Sequence, residues 1–243
     1  MKILVSSDWH GDALTAGVPR RADIIRHVDK MLEEEFNLFV FGGDLTDPDT
    51  PGAHAAIEYA CTVAARLADR GIISCWVAGN HDTVEDGLGT TTLSALRGIE
   101  VGGSKLKSPI RVFNKPSATL LNTPAGTVAF VALPYPSLAT HYDPADFVKR
   151  LRPLPEGTPC LVMGHLWMKG DEGSGSESTD MARGRPVYWP VKELEEKFPN
   201  ALLVGGHYHR QGFMGGVLMV GTMDRLTAGE QLHHPRYLLL EVP

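Results

Sequence analysis

Phe41-Gly42-Gly43-Asp44-Leu45-Thr46-Asp47 decides how this chain is read, because it carries a carboxylate off the end of a buried strand. The run that leads into it, Leu38-Phe39-Val40-Phe41, is continuously apolar, the pattern of a strand covered on both faces. Gly42 and Gly43 then let the backbone turn and approach a ligand closely. Asp44 is thereby placed at the carboxyl edge of a sheet, where open α/β folds hold their ligands. Taken alone, the same Asp reads as a helix N-cap before the Ala-rich stretch downstream. Repetition elsewhere in the chain separates the two readings.

The strand Lys2-Ile3-Leu4-Val5-Ser6 runs into Ser7-Asp8-Trp9-His10, and Asp8 and His10, two apart, share one side of an extended strand end. Residues 72–78 form another apolar strand and lead into Gly79-Asn80-His81-Asp82. Cys160-Leu161-Val162-Met163 ends in Gly164-His165, and Ala201-Leu202-Leu203-Val204 ends in Gly205-Gly206-His207-Tyr208-His209. Helices intervene. Ile24, Ile25, Val28, Met31 and Leu32 recur at helical spacing and predict a helix over 20–36, with Glu33, Glu34 and Glu35 facing water. Ile57, Ala60, Cys61, Ala64 and Leu67 predict a second over 53–69, ended by Gly71. This alternation argues for a largely parallel sheet, whose crossovers bring the strand ends to one edge.

From about residue 98 to 136 the pattern changes to short strands at 109–113, 118–122 and 127–133, which suggests antiparallel pairs in a second sheet. Lys105, Lys107, Arg111 and Lys115 cluster there, either as a solvated edge that discourages aggregation or as a phosphate-contacting patch. Residues 169–185 form a polar Gly/Ser-rich loop. It reads as a flexible excursion or as a substrate-side loop with Arg183 and Arg185 available to phosphate. Strand-like stretches at 216–220 and 236–242 follow.

Composition sets the outer bounds. With 43% hydrophobic and 21% charged residues, the 243-residue chain is that of an ordinary globular protein, with no signal peptide and no membrane span, so a cytoplasmic location is expected. Cys61, Cys75 and Cys160 sit in apolar surroundings without metal-ligand spacing and read as buried free thiols. A net charge of -6 would repel nucleic acid, unless bound cations reverse the field at the site.

Asp8, His10, Asp44, Asn80, His165, His207 and His209 all follow apolar strands, and seven side chains exceed what one ion needs. They suit two divalent ions about 3.5–4 Å apart bridged by one carboxylate, for which Asp44 is the candidate. The mixed oxygen and imidazole shell accepts Mn, Fe, Zn, Co, Ni or Mg, and manganese is the expected ion.

The set Asp8-x-His10, Gly43-Asp44-x-x-Asp47, Gly79-Asn80-His81-Asp82, Gly164-His165 and Gly206-His207-x-His209 resembles the five-block signature of the calcineurin-like metallophosphoesterases. The resemblance implies an α/β fold of two packed mixed sheets flanked by helices, a four-layer αββα architecture. It covers most of the chain, read as one catalytic domain over 1–243 with no capping domain. It also implies one ion held by Asp8, His10, Asp44 and His209, and another by Asp44, Asn80, His165 and His207. The implied chemistry is attack on phosphorus by a hydroxide shared between the ions. His81 would protonate or stabilise the leaving oxygen, Asp82 would orient His81, and Asp47 would hold a ligand imidazole.

Ser7-Asp8-Trp9-His10, the Gly173-Ser174-Gly175-Ser176-Glu177 loop and Gly221-Thr222-Met223-Asp224-Arg225-Leu226-Thr227 are similar to the catalytic domain of SbcD-type DNA repair exonucleases. Serine/threonine phosphatases carry arginines where this chain has Pro48 and Ala78, and those arginines clamp a phosphomonoester dianion. A diester substrate is expected instead: DNA first, with a small-molecule phosphodiesterase or a broad-specificity phosphatase as alternatives. SbcD-type proteins continue into a capping domain and a segment for an ATPase partner of the SbcC type, whereas this sequence stops at Pro243, so that partner is left open. A non-enzymatic reading, with the metal centre as a rigid scaffold for a protein partner, is disfavoured by the unbroken set of ligands and His81.

Overall fold

The apolar runs fold as strands buried on both faces. In the computed structural model the order is β1 (Lys2–Ser6), β2 (Leu14–Thr15), β3 (Val18–Pro19), α1 (Arg21–Met31), β4 (Leu38–Phe41), α2 (Ala53–Asp69) and β5 (Ile73–Val77). A 3₁₀ helix (Thr92–Gly98), β6 (Ile110–Phe113), β7 (Ser117–Thr123), β8 (Gly126–Leu133), α3 (Pro144–Arg150) and β9 (Cys160–Gly164) follow. The remaining elements are α4 (Val191–Lys197), β10 (Leu202–Gly205), β11 (Gly212–Met214), β12 (Val217–Met219) and β13 (Leu238–Glu241). The structure describes residues 1–84, 86, 88–99, 109–136, 140–169, 187–226 and 236–242. Among these, no helix is long and apolar enough to cross a membrane.

One sheet has the order β13-β1-β4-β5-β6, the other β11-β12-β10-β9-β8-β7. Each is mixed, with a parallel centre: β1, β4, β5 and β6 run together in the first, and β8, β9, β10 and β12 in the second. Strand alternation assigns each side chain to one layer or the next. Leu4, Phe39, Phe41 and Trp76 face outward onto Ile24 and Val28 of α1 and Val63 and Leu67 of α2. Their neighbours Ile3, Val5, Val40 and Val77 face the second sheet's Val128, Phe130, Leu161 and Val204. On the far side of that sheet Val131 and Val162 pack with Val148 of α3 and Leu194 of α4. The result is the four-layer helix-sheet-sheet-helix arrangement expected.

Three expectations are corrected. The strand at 110–113 does not pair antiparallel in the second sheet but lies parallel to β5 in the first, with Ser74 opposite Ile110. Of these three strands, β7 and β8 pair antiparallel in the second sheet. Helix α1 ends at Met31 rather than 36, because Leu32 and Phe36 must both turn into the core before β4 begins. Arg70 caps that end, donating to the Leu32 carbonyl at 3.0 Å while its guanidinium lies 5.0 Å from the Phe36 ring centroid. The three cysteines are free thiols, although Cys61 is half-buried rather than buried.

Candidate metal centre

Parallel pairing of β1, β4 and β5 delivers the segments after Ser6, Phe41 and Val77 to one edge of the first sheet. Parallel pairing of β9 and β10 delivers His165, His207 and His209 to one edge of the second. These two edges are stitched together. His165 Nδ1 lies 2.7 Å from the Gly42 carbonyl oxygen, and the His207 amide donates to Asp8 Oδ1 at 3.1 Å. Gly79 shows how tight the junction is: a Cβ there would overlap Asp44 Oδ1 and lie 2.6 Å from the Asp44 amide nitrogen.

The candidate ligands form two groups, Asp8 with His10 and His209, and Asp44 with His165 and His207, each with its donor atoms within 4.8 Å of one another. Asp44 belongs to both neighbourhoods, since its Oδ2 is 3.1 Å from His165 Nε2 and 3.7 Å from His10 Nε2. Asn80 Oδ1 joins the second group, 2.9 Å from both His165 Nε2 and His207 Nδ1. The donor on His165 Nδ1 is spent on a carbonyl, which turns Nε2 toward these oxygens. All seven expected ligands are therefore brought together.

The backbone is bent to do it. Asp8, His10, Asp44 and His207 have φ of 52°, 43°, 58° and 78°, a left-handed conformation that costs about 1–3 kcal/mol per residue outside glycine. Among the described residues only one other non-glycine residue, Ala16, has a positive φ, so this strain is concentrated at the site.

Burial and mutual charge shift these groups in different directions. Burial drives the His10 imidazole well below its ordinary value and His207 to about 3, so both are neutral donors. Burial alone would raise the Asp44 carboxyl, but the adjacent His165 and His81 hold it well below the usual carboxylate range. Burial opposes charge on His165 too, yet Asp44 lifts it to about 9. Burial pushes Asp8 up to about 6, with the nearby Asp44 adding to the rise and His165 opposing it. Asp8 Oδ2 and His10 Nε2 are buried and have no hydrogen-bond partner. A buried carboxylate oxygen in that state is costly unless a cation satisfies it, so the residues present fit a divalent metal pair.

Three further residues take places that the sequence did not give. Asp82, fully buried, accepts from the amides of Asp44, Gly79 and Leu45 at 2.8, 2.8 and 2.9 Å and from Thr92 Oγ1 at 2.7 Å. It staples the Asp44 turn to the Asn80 turn, rather than presenting a free carboxylate to His81. Asp47 was expected beside a ligand imidazole; its Oδ2 instead lies 3.8 Å from Nδ1 of His81. Thr92, ten residues beyond Asp82, had no sequence signal that marks it.

His81 itself packs edge-on to His10, ring centroids 5.1 Å apart, and keeps 31% of its side chain exposed, whereas the aspartates and histidines among the candidate ligands are nearly sealed. Of the basic residues, Arg111 reaches Thr119 Oγ1 at 3.4 Å across the sheet junction, and exposed Lys115 follows the end of β6. Lys105, Lys107, Arg183 and Arg185 lie outside the described residues.

A four-layer αββα fold with two histidine-carboxylate groups meeting at one aspartate is the frame of a dinuclear metal-dependent hydrolase. Residues 1–211 match the family of calcineurin-like phosphoesterases; the chain belongs to that family and is a metal-dependent phosphoesterase. The chain also matches two solved structures weakly. A dimetal phosphatase from Danio rerio is 13% identical with a TM-score of 0.46, covering 91% of this chain and 87% of that one. The Pseudomonas putida nuclease MPE is 18% identical with a TM-score of 0.28, covering 66% of this chain and 58% of that one.

Proposed function

We propose that this chain hydrolyses phosphodiester bonds and that its substrate is DNA, cut as by nucleases of the SbcD type. The observation that carries the diester reading is the charge inventory of the site. After burial, the described groups acting most strongly on Asp8 and Asp44 are imidazoles and, for Asp8, the Asp44 carboxylate, and Pro48 and Ala78 stand where the phosphatases named above carry arginines. A phosphomonoester dianion calls for a bidentate cationic clamp, whereas a diester carries a single charge and needs less. The DNA reading adds the local sequence resemblance at Ser7-Asp8-Trp9-His10 and Gly221-Thr222-Met223-Asp224-Arg225-Leu226-Thr227.

In this reading Asp8, His10, His209 and Asp44 hold one divalent ion, and Asp44, Asn80, His165 and His207 hold the other, with manganese the expected metal. Such an ion pair supplies Lewis acidity toward the phosphoryl group and activates water near neutral pH. His81, reachable from solvent, gives a proton to the leaving oxygen, with the Asp47 carboxylate 3.8 Å from its Nδ1. Lys105, Lys107, Arg111, Lys115, Arg183 and Arg185 are proposed to meet the DNA backbone.

The test is turnover of manganese-loaded protein on linear duplex DNA, single-stranded DNA, a cyclic nucleotide and a phosphomonoester. DNA cleavage that weakens steeply as salt rises is expected. Turnover of the monoester alone would refute the diester preference, and salt-independent turnover of the cyclic nucleotide without DNA cleavage would refute the DNA assignment. His81→Ala should lower kcat on the cleaved substrate by about 10²- to 10⁴-fold with metal content unchanged. Near-normal turnover would leave His81 a structural role only.

A further inference from the structure

Thr222, in the segment after β12, is buried and bonded to two of the candidate ligands of one ion. Its hydroxyl donates to the Asp8 carbonyl oxygen at 2.8 Å, and its amide donates to the His209 carbonyl oxygen at 3.1 Å. We propose that Thr222 is a positioning residue, which fixes Asp8 and His209 as a pair for a single cation. The inference rests on the reading above that these two side chains share an ion.

The hydrogen bonds of Asp8 lead to this assignment. Its amide is held by the Gly43 carbonyl at 2.8 Å, its carbonyl by Thr222, and its Oδ1 by the His207 amide at 3.1 Å. Three different strand-end segments thus pin a residue whose φ of 52° is unfavourable, and Oδ2 is the one polar atom they leave for an ion. Of the three tethers, the one from Thr222 also reaches His209. Its hydroxyl proton is directed to Asp8, because the same oxygen faces the Asp224 amide at 3.4 Å as an acceptor.

The segment bearing Thr222 is itself anchored. Asp224, 3% exposed, takes a bidentate pair of hydrogen bonds from Arg20, both at 2.9 Å, at the start of α1. Thr15 of the β2-β3 hairpin donates to the Leu226 carbonyl at 2.9 Å, and the Arg236 amide donates to the Thr222 carbonyl at 3.2 Å. A hydroxyl held this firmly can hold a strained ligand in turn.

The experiment is calorimetric titration of metal-free protein with manganese, read together with the electron paramagnetic resonance of the loaded protein. Wild-type protein should take up two ions and show the spectrum of a coupled pair. Thr222→Val should weaken one ion by about 10- to 100-fold, leave the other at its wild-type affinity and convert the spectrum to that of a lone ion, while Thr222→Ser restores both. The double variant Thr222→Val/His209→Ala should bind no worse than His209→Ala, since both changes act on the same ion. Should Thr222→Val fail to fold, Asp224→Asn, which loosens the anchor on Arg20, should weaken the same ion selectively. Unchanged affinities in these variants, or equal weakening of both ions, would overturn the inference. A wild-type protein that takes up no pair would overturn the underlying site reading with it.

Discussion

Asp44→Asn should remove the hydrolytic activity and the capacity to retain a metal pair together. The substitution keeps the side-chain volume and can keep the bond from the His81 amide to Oδ1, which measures 2.9 Å. What it loses is the negative charge between His165 Nε2 at 3.1 Å and His10 Nε2 at 3.7 Å, a charge that reaches both candidate ligand sets. Several kcal/mol of charge stabilisation then disappears from the reaction, or about 10³-fold or more in kcat. Elemental analysis after dialysis should show both ions depleted rather than one. Retention of two ions with kcat within about tenfold of wild type would show that Asp44 is not the shared ligand.

Asp82→Asn should damage the fold while leaving every candidate ligand in place. The carboxylate presents acceptors to three backbone amides and one hydroxyl, and an amide cannot. Turned toward Asp44 and Gly79, the new amide sets donor against donor twice. Turned the other way, it faces Leu45, and only Thr92 can rotate to accept. Leaving such buried donors unmet, with their carboxylate gone, costs about 3–5 kcal/mol. For a chain of this size that lowers the thermal midpoint by about 10 °C. Since Asp82 holds the amide of Asp44 itself, activity should fall even at temperatures where the variant is folded. A midpoint within about 2 °C of wild type would mean that the staple contributes little.

The strand ends were legible because their signal is local and repeated: a continuous apolar run, a small residue, then Asp, Asn or His, as at Val40-Phe41-Gly42-Gly43-Asp44. Repetition at β1, β4, β5, β9 and β10 makes the meeting point readable from the chain alone. What failed was information held by partners far away in sequence. Which sheet the strand at 110–113 joins depends on Ser74 and its neighbours, and its own four residues carry no record of that. Asp82 looked like an orienter of the histidine beside it, whereas most of its hydrogen-bond donors are residues some 37 positions earlier or ten later. Thr222 lies in a stretch that resembles the SbcD-type nucleases, but a single hydroxyl has no periodicity, so its bond to Asp8 cannot be read from the chain.

The most direct measurement is anomalous diffraction from crystals of manganese-loaded protein. Two peaks about 3.5–4 Å apart are expected. One should lie beside Asp8, His10 and His209, the other beside Asn80, His165 and His207, with the Asp44 carboxylate between them. A single peak, or two peaks that both leave Asp44 without a metal contact, would contradict the shared-carboxylate centre.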